Sequence, residues 1–167
     1  MLVARGAARD EGEPNLTAMV LDHEPPPEIG VRTRRVGSFA DFEAMERIRE
    51  EVFGTPDHLR AAGGRARWAN FRAAGSIAFL AEVDGAPVSF GIMDRTSAGP
   101  MLLAGGVTRP AYRGRGAYRA LVYARWKAAE EAGAPAVVTQ AQAASRPILE
   151  RLGFHATGTI EVLVDRP

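Results

Sequence analysis

Apolar and polar positions change period several times along this 167-residue chain, and each change marks an element. Val31 to Val36 alternates apolar with basic residues, the period of a half-buried strand. Ser38 with Asp41 resembles a capping box, after which Phe42, Met45, Ile48 and Val52 recur at helical spacing, with Glu43 and Arg47 as an i,i+4 pair. Thr55-Pro56-Asp57 reads as a second helix start, an N-cap followed by proline at the first helical position. Gly63-Gly64 interrupts that helix, Arg65 to Ala73 resumes it, and Gly75 ends it. Ser76 to Val83 and Ala86 to Asp94 are β-rich runs joined at Asp84-Gly85, a hairpin signal, and Met101 to Thr108 continues the meander.

From about Gly116 the period is helical again, with Ala117, Leu121, Ala124 and Ala128 on one face, until Gly133 closes the helix. Ala136 to Gln140 reads as a strand reached by crossover. Ser145 caps a short helix with Pro147 in its first turn, and Phe154 to Val164 supplies one or two final strands. The order β-α-α-β-β-β-α-β-α-β predicts an α/β fold in which a mixed central sheet carries helices on both faces.

Residues 1–30 differ from the main domain, residues 31–167. They hold a polar stretch from Arg9 to Asn15, an apolar run Leu16 to Leu21, and Pro25-Pro26-Pro27, a stiff linker. The run is too apolar for a solvated tail, so it is expected to add an ordered strand at a sheet edge, or to be the last strand of an upstream unit in a tandem ancestor. Pairing with its own subunit or a second copy would cover edge N–H and C=O groups, which makes the segment the expected contact of a homodimer.

Composition narrows the chemistry. A formal net charge of +1, with both signs spread along the chain, argues against a nucleic-acid or membrane surface as partner and for a small soluble ligand. There is no cysteine, hence no disulfide framework and no thiol nucleophile. His23, His58 and His155 are too scattered for a metal cluster, and no metal is expected. With no apolar run of signal-peptide or membrane-spanning length, the protein reads as cytoplasmic. Its 21 basic residues are arginine except for Lys127, a codon signature of a GC-rich bacterial genome.

The most informative stretch is Val107-Thr-Arg-Pro-Ala-Tyr-Arg-Gly-Arg-Gly-Ala-Tyr-Arg-Ala-Leu121, which joins a buried strand to a helix start. Unpaired N–H groups and the positive end of the helix dipole lie there. Gly114 and Gly116 remove the Cβ atoms that would hold a ligand away, and Arg113, Arg115 and Arg119 add charge, so a diphosphate fits. The plain alternative is a glycine-containing turn whose arginines face water. The run lacks the Gly-Lys-Ser/Thr ending of a P-loop and the G-x-G-x-x-G of a dinucleotide fold. A nucleic-acid module built on Arg-Gly-Arg-Gly would need interleaved aromatics and a stronger net charge.

This run resembles the coenzyme A loop of the GNAT superfamily of N-acetyltransferases, Q/R-x-x-G-x-G/A after a V-x-P strand end. Arg113, Gly116 and Tyr118 fall on its three marked positions, Tyr118 replacing the usual Gly or Ala. Ser145-Arg-Pro-Ile-Leu-Glu-Arg-Leu-Gly-Phe154 resembles the family's later helix with its Leu-Gly-Phe ending, at the expected distance. The resemblance covers about residues 31 to 165 and implies the GNAT fold and acetyl transfer from acetyl-CoA directly to an amine of a small molecule or peptide. It implies that Arg113, Gly114, Arg115, Gly116, Ala117, Tyr118 and Arg119 hold the diphosphate. By the same resemblance Gly106, Val107 and Thr108 pair with the pantetheine arm, and Gln142 stands in for an asparagine on that arm.

The family's tyrosine beside the cofactor sulfur is here Leu149, so Ser145 is the nearest remaining hydroxyl for a proton donor. Glu82 and Asp94, on the strands before the cofactor strand, are the candidate general bases, although strand carboxylates are more often merely solvated. Trp68, Phe71, Arg60, Arg65, Arg67 and Arg72 sit where the family shapes its acceptor site. Leu149 and the lack of an obvious base leave a second expectation, a catalytically silent acyl-CoA-binding domain serving as a sensor or as half of a tandem protein.

Overall fold

The computed structural model describes residues 7–9, 15–54 and 63–165, with 7–9 and 163–165 as backbone only. The helix start expected at Thr55-Pro56-Asp57, together with His58 and Arg60, lies outside them, as do polar residues 10–14.

The strands are β1 (Ala7–Arg9), β2 (Leu16–Leu21), β3 (Arg32–Arg35), β4 (Ile77–Val83), β5 (Ala86–Arg95), β6 (Met101–Thr108), β7 (Val137–Ala141), β8 (His155–Ile160) and β9 (Leu163–Asp165). Seven form one sheet in the order β3-β4-β5-β6-β7-β2-β8, while β1 and β9 pair by themselves. Within the large sheet only β6 and β7 run parallel, as the crossover between them requires. The mixed sheet and its element order from β3 to β8 match the expectation drawn from periodicity.

Helices lie on both faces. On one, α1 (Phe39–Phe53) opens on the capping box: the Asp41 N–H donates to Ser38 Oγ at 3.2 Å, and the Ser38 N–H donates to Asp41 Oδ2 at 3.1 Å. Phe42, Met45 and Ile48 pack from α1 onto Ala78, Leu80, Phe90 and Val107. Beside it α2 (Gly64–Ala73) starts one residue earlier than expected, and its Trp68 and Phe71 rings stack with centroids 5.8 Å apart, each within 6 Å of Phe42.

The other face carries α3 (Ala117–Glu131) and, after β7, the short α4 (Arg146–Arg151). On α3 the buried residues are Ala117, Ala120, Leu121, Val122, Arg125, Trp126 and Ala129. The buried stripe is thus turned from the expected one: Ala124 and Ala128 are half-buried, and Arg125, one turn after Leu121, is inside.

The apolar run Leu16–Leu21 takes a place that sequence did not foresee. It is not an edge strand. β2 runs antiparallel to β7 on one side (Leu21↔Val137 to Thr17↔Ala141) and to β8 on the other. An interior position satisfies both ladders of β2 and buries Met19 and Leu21, 1% and 0% exposed, against the α3 face. The edge falls to β8, whose residues are mostly exposed.

Candidate active site

The site begins where β6 and β7 part. Their parallel pairing consists of Met101↔Val137 and Leu102↔Val138 and then stops, while β7 continues along β2. One further tie, from Thr139 Oγ1 to the Leu103 carbonyl at 3.0 Å, marks the point of divergence. Beyond it lies a crevice of about 420 Å³, walled by Leu102 to Gly106 on one side and by Thr139, Gln142, Ser145 and Leu149 on the other. Tyr118 and Arg125 of α3 complete it.

On the β6 wall the chain bulges. Phe90 pairs with Val107 and Ile92 with Ala104, so Gly105 and Gly106 stand opposite the single residue Gly91. Both are exposed, and Gly105 has φ +58°. Because the β7 ladder has ended, the peptide groups of β6 on this side turn toward the crevice, where an extended amide-bearing chain would find partners.

The crevice adjoins the expected phosphate loop through Tyr118, which lies in the first turn of α3. After Thr108 the chain passes a 3-10 turn, Pro110–Tyr112, then Arg113 to Gly116. Gly114 and Gly116 have φ +77° and +80°, a left-handed conformation that glycine adopts freely. Gly116 is the N-cap of α3, and no side chain caps the helix. Its orphan N–H groups and dipole therefore face whatever approaches.

What approaches is Glu28, just after the triple proline. A Cβ on Gly116 would lie 2.6 Å from the Glu28 carboxyl carbon, and Glu28 Oε2 is 3.1 Å from Arg119 Nε. A carboxylate thus sits against the expected phosphate loop, a contact between residues far apart in sequence. Arg115 pairs with Asp84 at 2.9 Å, and Arg113 is exposed.

The candidate catalytic residues scatter. Ser145 lines the crevice, but it does not cap α4 through its side chain: its backbone is α-helical, and its hydroxyl donates to the Gln142 carbonyl at 3.1 Å. Glu82 accepts from Arg34 Nε at 2.6 Å, with Arg32 nearby, in a network that also ties Arg34 to Asp41. Asp94 accepts from Ser76 Oγ at 2.5 Å. Ile92 packs with the α1 core and Met93 with the α3 core, so the strand period puts Asp94 on the α1 face. Neither carboxylate lines the crevice. Gly106, Tyr118 and Gln142 do, whereas Val107 is buried in the α1 core and Thr108 is tied to Ser89.

Arg125 is the crevice residue that sequence reading passed over. It is 1% exposed; Nε donates to the Leu121 carbonyl at 3.0 Å and Nη1 to that of Ile92 at 3.1 Å. Burial lowers its pKa from the ordinary arginine value, and the nearby Tyr118 phenol works in the opposite direction. The one sequence signal was its spacing, four residues after Leu121 on the buried stripe.

Among the described residues no group of three or more side chains is arranged to hold a metal ion, and no helix is long and apolar enough to cross a membrane.

A family model described as an acetyltransferase (GNAT) domain matches residues 51–163. No curated protein sequence matches the chain. Solved structures share its fold at low identity. A GCN5-related N-acetyltransferase from Kribbella flavida is 21% identical with a TM-score of 0.70, over 99% of this chain and 62% of that one. A tandem GNAT protein from the clavulanic acid biosynthesis pathway is 17% identical with a TM-score of 0.71, over 96% and 55%. AAC(6')-Iy, in complex with the bisubstrate analogue CoA-S-monomethyl-acetylneamine, is 20% identical with a TM-score of 0.68, over 82% and 99%. The chain thus spans under two thirds of the Kribbella protein and little more than half of the tandem one.

Proposed function

We propose, from the premise that the chain belongs to the GNAT acetyltransferase family, that it transfers an acetyl group from acetyl-CoA directly to an amine of a small molecule or peptide. The observation that carries this reading is the continuity of two features: an uncapped helix N-terminus behind left-handed glycines, and a crevice beginning at that helix's first turn between diverging strands. A diphosphate and an extended amide arm need those two surfaces, in that order. The backbone of Arg113 to Arg119 would hold the diphosphate, and the Gly105-Gly106 bulge with Gln142 would hold the arm. Acetyl-CoA supplies an activated thioester; the chain's own contribution is to orient it and to set donors around the reacting end. With no cysteine available, transfer without an acyl-enzyme suits the chain. A bacterial cytoplasm is the setting that composition favours.

The closest test is Gly116→Val. A β-branched residue is strained at φ +80°, and its Cβ would press on Glu28, a flexible and displaceable side chain. Calorimetry with acetyl-CoA is expected to show affinity lower by at least about tenfold, with the melting temperature within a few degrees of wild type. Unchanged affinity would remove the diphosphate assignment.

One alternative has specific support. Leu149 in the crevice and Glu28 against the loop favour a domain that binds acyl-CoA without turning it over, as a sensor or as half of a tandem protein. Release of free thiol from acetyl-CoA across a panel of amines separates the two.

A further inference from the structure

Three hydroxyl side chains line the crevice: Thr139, Ser145 and Tyr118. Two have already committed their protons to backbone, Thr139 to the Leu103 carbonyl and Ser145 to the Gln142 carbonyl. Tyr118 differs. Its ring shares the space over Gly106 with the buried Arg125 guanidinium, whose charge the phenol favours, and among the described residues Arg125 Nη2 has no hydrogen-bond partner. A cationic N–H next to a phenol oxygen is satisfied when that oxygen accepts, which leaves the phenolic O–H to point elsewhere.

The sheet is cut away to make room for this pair. A Cβ on Gly91 would lie 2.6 Å from Arg125 Cζ, and a Cβ on Gly106 would lie 2.8 Å from Tyr118 Cε2 and 3.7 Å from Arg125 Nη2. Two glycines on neighbouring strands, at the bulge itself, therefore seat a tyrosine and an arginine against the crevice wall. Packing alone does not call for a buried arginine whose acceptors among the described residues are the backbone carbonyls of Leu121 and Ile92. A site that must accommodate developing negative charge does.

We propose that Tyr118 is the proton donor to the leaving sulfur, with Arg125 as the residue that positions its phenol. This rests on the acetyltransferase reading above. As the amine nitrogen bonds to the acyl carbon and the C–S bond breaks, the electron pair goes to sulfur, and Tyr118 gives sulfur its phenolic proton. The proton shed by the amine nitrogen returns through water to the Tyr118 oxygen, so the residue ends as it began. Tyr118 thereby fills from α3 the role that Leu149, on the opposite wall of the crevice, has no group to perform.

Two measurements test it. Binding of CoA and of desulfo-CoA is compared by calorimetry: wild type is expected to prefer CoA severalfold, and Tyr118→Phe to lose that preference while binding desulfo-CoA as before. Thiol release with an accepted amine is expected to fall about 100-fold in kcat for Tyr118→Phe, with KM for acetyl-CoA little changed. Arg125→Met should lower kcat in the wild-type background and add nothing in Tyr118→Phe, the non-additivity expected of two residues acting as one unit. Tyr118→Phe carrying Leu149→Tyr should recover part of the loss from the opposite wall. Turnover and CoA preference both unchanged in Tyr118→Phe overturn the donor role alone. A wild type that binds acetyl-CoA yet releases no thiol across the amine panel overturns the donor role together with the enzymatic reading.

Discussion

At the scale of single residues, Glu28 shows how a side chain distant in sequence changes the meaning of a motif. Gly116 and its arginines are legible as an anion cradle, but the sequence does not reveal that the linker after Pro25 to Pro27 lays a carboxylate against it. That contact combines a half-exposed ion pair with an acid at a helix N-terminus, together worth on the order of 1 kcal/mol. On the function proposed above, an incoming diphosphate has to displace it. Glu28→Gln is therefore expected to tighten acetyl-CoA binding about fivefold in calorimetry at low salt, with a smaller gain at high salt as screening erases the difference. Arg125 teaches a related lesson, because a helical spacing argument assigns arginine to water by default and only the glycine-cleared floor beneath it explains its burial.

At the scale of elements, α1 was the most legible part of the chain because its signals are local. Ser38 and Asp41 are three residues apart, and the box they form needs no distant partner. Tertiary structure then adds Arg34 from β3 to the same carboxylate. Burial works against the Asp41 charge, but hydrogen bonds from Ser38, Arg34 and the Gly37 N–H outweigh it and hold the pKa below the usual 3.8. A carboxyl depressed on folding contributes stability above its unfolded pKa and loses it as pH falls through the folded value. Asp41→Asn is thus expected to cost about 1 kcal/mol at pH 7. Its deficit against wild type should shrink below about pH 4, as read from urea midpoints at several pH values. By contrast α3 was placed correctly but turned, since alanines at 124 and 128 carry too little hydrophobic weight to fix which side faces the sheet.

At the scale of the whole molecule, β2 decides more than its six residues suggest. It fills the place between β7 and β8, so the strand that bounds the crevice, β7, is held on one side by a segment from the start of the chain. Leu21, fully buried at the end of β2, is expected to cost about 2–5 kcal/mol when changed to alanine. The loss should appear as a lower urea midpoint with an unchanged slope. Deleting residues 1–22 should abolish the cooperative transition altogether, because it leaves β7 and β8 each with an open ladder.

Sequence by itself determined the elements of the main domain, their alternation around a mixed sheet, and the glycine-arginine junction at the start of α3. Each rests on contacts within a few residues, where period, caps and turn residues act directly on the backbone. Tertiary structure alone decided the rest: β2 in the interior of the sheet, Glu28 against the cradle, Glu82 and Asp94 committed to Arg34 and Ser76, and Tyr118 beside Arg125 over two glycines. Except for Tyr118 and Arg125, which share one helix, those pairings join residues far apart in sequence, and all of them are selected by the competing demands of buried polar groups for a partner, which no local pattern records.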